Sequence, residues 1–160
     1  MERNKFNKKI LLMQNKLTSF IEKYYNVKPL EIKNQRFFDE LILEHTFSAA
    51  IFEQVTISNF KFKEIDFLSS HFRRCFFENC DFQNITWRKC EFLECTFETC
   101  NIRDCDISKV EFDYHTFKDC KFSNVNLEWS DLDNCRFLGT TLSGINFNAT
   151  IISHLYTEND

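Results

Sequence analysis

The chain is short of the two residues that punctuate most folds: it has 2 glycines and 1 proline in 160 residues. That excludes a glycine- and proline-rich linker and argues against a loop-rich all-β sandwich. No apolar run reaches the roughly 18 residues that a membrane-spanning helix needs. The short run Ile10-Leu11-Leu12-Met13 is followed at once by Gln14, Asn15 and Lys16, too soon for the core of a signal peptide. A cytoplasmic protein is therefore expected. There is no glycine-rich phosphate loop, and no pair of cysteines has the C-x-x-C spacing of structural zinc sites.

What the chain has is phenylalanine, 20 copies, and 8 cysteines. A bulky apolar residue falls on every fifth position from Phe47 to Ile152, 22 times in succession. Phe37 and Ile42 already lie on the same register. A period of five fits neither a helix nor an ordinary strand. Sustained this long, it specifies a solenoid, in which units too short to bury a residue alone do so by stacking. The slot two residues before each centre is small or apolar and holds all eight cysteines, together with His45 and His115. The slot two after it collects turn-formers such as Asn59, Asn79, Asp104, Asn124, Gly139 and Gly144.

Units such as Cys80-Asp81-Phe82-Gln83-Asn84, Cys100-Asn101-Ile102-Arg103-Asp104 and Ser130-Asp131-Leu132-Asp133-Asn134 resemble the loose motif A-(D/N)-L-x-x of the pentapeptide-repeat family. The resemblance runs over residues 45–154 without a gap. It departs from the common pattern in its Phe centres and in Cys where Ala is commonest. The fold it implies is an all-β solenoid, a right-handed quadrilateral β-helix with four units per coil. For this chain that means about 5.5–6 coils, a rod of roughly 25 Å at strand-like spacing. The expected division is a basic helix and linker over 1–36, the β-helix over 37–154 and a tail over 155–160.

Residues 1–36 carry nine Lys/Arg against three Glu, a charge of +6, and the remainder carries −10. Phe6, Ile10, Met13, Leu17, Phe20 or Ile21, and Tyr24 form a helical stripe, ending near Asn26 because Pro29 disfavours helix at Lys28. Such a helix has three uses: capping the solenoid, pairing with another chain, or lying on an anionic membrane. Capping is favoured, because a stacked body has an open apolar end to cover.

The chemistry reads as absent. Cysteines in one column point the same way at about 4.8 Å and cannot surround a metal tetrahedrally. They read as core filler, with no disulfides in a reducing compartment. His45 and His115 read as packing residues, and His71 and His154 as outward-facing on one side of the rod. No nucleophile–base arrangement appears, so neither an enzyme, a cofactor nor a metal is expected.

The surface is more informative. Summed over four faces, the exposed slots of one face carry −5 and the others 0, −1 and +1. Its acids concentrate at Glu91, Glu94, Glu111, Asp113, Asp131 and Asp133, with Tyr114 among them. Such a face suits another protein and repels nucleic acid. The expected function is a protein-interaction rod. The resemblance implies a narrower alternative, a DNA mimic that binds gyrase or topoisomerase IV and confers quinolone resistance or immunity to a gyrase poison. It also implies an end-to-end homodimer, for which Ile151, Ile152, Leu155 and Tyr156 would supply the contact.

Overall fold

The computed structural model describes residues 16–24, 29–154 and 156–157. Its strands are all parallel, and each pairs with the strand 20 residues further on: Phe52↔Phe72, Phe97↔Phe117, Ile102↔Phe122. Twenty residues at a period of five is four units per coil. The chain therefore winds as a square solenoid with one unit on each side.

The first face carries the centres Ile32, Phe52, Phe72, Phe92 and Phe112 on paired strands, extended by bridges at Asp131 and Ile151. The second face runs from Phe37 through Ile57, Phe77, Phe97, Phe117 and Phe137 to Thr157. The third runs from Ile42 to Leu142. On the fourth face the chain turns tightly, as where Ala50 N–H donates to Phe47 O at 3.0 Å and Cys90 N–H to Trp87 O at 3.1 Å.

The corners explain the period. Every fifth residue from Asn34 to Ala149 has φ between 47° and 63°. The left-handed kink turns the chain and returns the next centre to the interior. Asn, Asp and Gly take it cheaply, but Thr99, Tyr114 and Trp129 occupy it too. Stacking supplies what offsets that cost. Phe72–Phe92 and Phe77–Phe97 lie 4.6 and 4.5 Å apart in near-parallel stacks, while neighbours around a coil, such as Phe72–Phe77, meet edge-on. Each aromatic pair adds about 0.5–1.5 kcal/mol beyond its buried area.

All eight cysteines are buried free thiols. They do more than fill space. Cys90 Sγ donates to Phe67 O at 2.9 Å and Cys95 Sγ to Phe72 O at 3.3 Å, each reaching a carbonyl 23 residues earlier. Ser70, Ser130 and Thr140 hydroxyls make the same bond. A Cys, Ser or Thr in this slot can thus donate to the coil below, which the Val and Ile found there at other coils cannot. The expectation of inert filler missed this bond, because it joins residues far apart in sequence.

Both expected limits of the β-helix move outward. Strand Glu31–Lys33 pairs with Ile51–Glu53, so the ladder begins ahead of residue 37. Tyr156 pairs with Arg136, so the tail also carries a rung. Helix Leu17–Tyr24 precedes the ladder, and its Leu17 and Ile21 are buried in the same apolar cluster as the first coil. The leader residues Phe6, Ile10, Met13, Asn26 and Lys28 lie outside the described residues. No described helix is long and apolar enough to cross a membrane.

The two ends differ. Ile32, Phe37, Ile42 and Phe47 are buried beside the helix, whereas Leu142, Phe147 and Ile152 are 43, 39 and 44% exposed. The period predicts an inward direction for all of them but Ile32, which lies in the stretch expected to be linker. Burial also needs a layer above, and no described residues lie over the last coil.

Candidate partner-binding face

The six acids do share the first face, and the ladder sets them in register. Glu91 pairs with Glu111, and Glu111 with Asp131; Asp113 lies opposite Leu93. Elsewhere the rungs bring opposite charges together, as in Lys118 Nζ–Glu98 Oε1 at 2.6 Å and Arg103–Asp81 at 3.1 Å. Like charges in directly opposed positions destabilise a sheet, so the Glu91–Glu111–Asp131 column costs stability.

The six are not equivalent. Glu91 Oε2 meets His71 Nδ1 at 2.8 Å, and Glu94 Oε2 accepts from Arg74 Nε at 2.9 Å. Asp131 Oδ1 accepts from Asp133 N–H at 2.9 Å, closing a turn at Asp131–Asn134 where the earlier coils have a strand. Asp133 accepts from Ser153 Oγ and contacts His154 Nδ1, both at 2.8 Å. The His154 and Ser153 bonds hold its carboxyl below the usual carboxylate range. Glu111 and Asp113 are exposed and have no side-chain partner among the described residues. They are the uncompensated centre of the face. His71 and His154 face outward, as expected, and serve as partners to two of these acids.

Two exposed aromatics frame this centre. Tyr114 follows Asp113 at one corner and is 65% exposed; Trp129 stands at the opposite corner, just ahead of Asp131, and is 62% exposed. Both occupy left-handed positions, with φ of 52° and 60°. By the period Trp129 belongs to the unit centred on Leu127, on the fourth face, so the acids of the first face do not point to it. Its signal was present: a large ring in a slot that otherwise favours Asn, Asp and Gly.

Ile151, Ile152 and Tyr156 gather at the open end with Leu142 and Phe147, all exposed. The Arg136 guanidinium lies over the Tyr156 ring at 5.6 Å. Leu155 is outside the described residues.

A family model described as "Pentapeptide repeat region" matches residues 70–147. The chain is a pentapeptide-repeat protein. Among solved structures, trypsin-treated R167E QnrB1, a plasmid-mediated fluoroquinolone resistance protein, is 17% identical to it with a TM-score of 0.39, over 76% of this chain and 73% of that one. HetL, a pentapeptide-repeat protein involved in heterocyst differentiation regulation from the cyanobacterium Nostoc sp. strain PCC 7120, is 6% identical with a TM-score of 0.37, over 85% and 92%. No curated protein matches. For this pentapeptide-repeat protein the familiar motif describes the interior, while the acids and aromatics of the first face belong to slots the motif leaves free.

Proposed function

We propose that the protein is a non-enzymatic interaction rod whose first face, centred on Glu111 and Asp113, receives a cationic protein surface. The observation that carries this reading is the pair of unpartnered carboxylates beside in-register acids and between two exposed aromatics. Trp and Tyr are enriched among the residues that dominate binding energy at protein interfaces, and the carboxylates between them select a cationic partner. Glu91, Glu94, Asp131 and Asp133 extend the face. The test is capture from cell lysate with wild-type protein and with Glu111→Lys/Asp113→Lys. A specific partner held by wild type and lost by the variant supports the reading. An identical set of captured proteins from both overturns it.

One observation favours a narrower partner. The column Glu91–Glu111–Asp131 spaces negative groups one rung, about 4.8 Å, apart along a rod. Such a column resembles a line of phosphates, which suits the family's DNA-mimic role toward gyrase or topoisomerase IV. A supercoiling assay with and without a quinolone separates the two. Inhibition or protection at micromolar protein supports the topoisomerase; neither effect removes it and leaves the general rod standing. An end-to-end homodimer through Ile151, Ile152, Leu155 and Tyr156 completes the proposal.

A further inference from the structure

His115 is fully buried, and neither ring nitrogen has a hydrogen-bond partner. Four phenyl rings enclose it: Phe92 and Phe97 at 5.5 Å, Phe112 and Phe117 at 5.1 Å. An imidazole in such a cage is held neutral, because the apolar surroundings disfavour its charged form and a proton on it would find no protein acceptor. Among the described residues no acid faces it from the interior. The coil below offers Cys95 in the same column and the coil above offers Cys135; Cys100 and Cys120 stand at the next corner. Burial pushes the Cys95 thiol up and that of Cys135 up to about 12, so neither supplies a negative charge. Glu94, Asp113 and Asp133 lie near it in sequence or register, but on the outer side of the wall.

To take a proton the ring must reach water, and the two directions along the rod differ. Toward the N-terminus lie the remaining coils and the helix. Toward the C-terminus the described residues form only the coil that stacks directly on it and the open last coil. That covering coil is held by Arg136 N–H donating to His115 O at 2.8 Å and by the Phe117–Phe137 stack at 4.9 Å. Each coil of a solenoid contacts only its neighbours, so the end can open without the middle.

We propose that His115 is an acid-sensitive latch, at which the C-terminal coils peel from the rod as pH falls below neutrality. The segment that leaves carries Trp129, Asp131 and Asp133. The sign follows from the cage. Burial pushes His115 down to about 3, while in the opened chain it returns to its ordinary value near 6.5. Opening therefore takes up one proton between these values. Closure has its full strength above about pH 6.5 and loses up to tenfold per pH unit below it. From pH 7 to 5 the opening constant rises by about 25-fold.

The test is hydrogen exchange of the full chain at pH 7, 6 and 5, corrected for intrinsic rates, in wild type and in His115→Cys. Cysteine already occupies this column at positions 75, 95 and 135. The exposed pairs His71–Glu91 and His154–Asp133 are common to both proteins and cancel in the comparison. The expected result is an opening of residues 131–150 that rises about 25-fold in wild type and stays flat in the variant, with residues 61–90 flat in both. Equal pH dependence in the two proteins, or in the two segments of wild type, overturns the latch. If His115→Cys does not fold, imidazole NMR of wild type decides. A neutral ring from pH 7 to 5 in the folded protein supports the latch, and a midpoint near 6.5 overturns it.

Discussion

Thr99 holds a backbone φ of 55°, a conformation that disfavours a β-branched residue. Its column neighbours Asn59 and Asn79 sit in the same conformation and link by a side-chain hydrogen bond, Asn79 Nδ2 donating to Asn59 Oδ1 at 2.8 Å. Thr99→Asn relieves the strain and extends that ladder. The expected gain is about 1 kcal/mol, read as a melting temperature raised by about 2–4 °C. Phe97 is the opposite case. It stacks between Phe77 at 4.5 Å and Phe117 at 5.3 Å, fully buried. Phe97→Ala leaves a cavity that neighbours locked in stacks refill poorly, at a cost of about 3–5 kcal/mol. Denaturant unfolding measures it, and a midpoint within error of wild type contradicts the inward placement.

The helix is the one element whose role the local pattern left open. Its stripe suited a cap, a partner helix or a membrane, and only the open end of a stacked body favoured the cap. The structure places it as a cap on the solenoid, and the anchor is Glu40. The two carboxylate oxygens of Glu40 accept from Leu17 N–H at 2.6 Å and from Thr18 N–H at 3.1 Å, and Thr18 Oγ1 donates at 2.8 Å. These N–H groups have no partner inside the helix itself. Glu40→Ala removes the anchor and should cost about 1–2 kcal/mol. Faster hydrogen exchange over residues 17–24, with the ladder unchanged, is the expected readout. No N-capping rule finds Glu40, because it lies 23 residues from the helix start.

Among the described residues, one end of the rod is covered and the other is open, and one face is acidic. Phe147 is 39% exposed at the open end. If two rods meet there, Phe147→Asp places charges in the contact and shifts the particle to monomer in sedimentation, with the mid-rod ladder intact. Binding through the acidic face should weaken at least tenfold in Trp129→Ala, the loss typical of a dominant interface residue. It should also weaken as salt rises, because exposed charges are screened.

The repeat itself was legible from the sequence, down to which residue of each unit faces in. The side chain that is buried recurs every five residues, and only a coil that turns at the same interval buries it. The cysteine slot and many of the turn positions were legible for the same reason. What the period could not convey is anything decided between coils. The thiol-to-carbonyl bonds span 23 residues, and the pairing of Glu91 with His71 spans 20. The period marks Phe37 and Phe147 alike as inward-facing; the structure buries Phe37 fully and leaves Phe147 39% exposed. The acids gathered on one face by arithmetic alone. Which of them remain free, Glu111 and Asp113, was decided by the neighbours that stacking brings within reach, because an ion pair depends on distance in space and not on spacing in the chain.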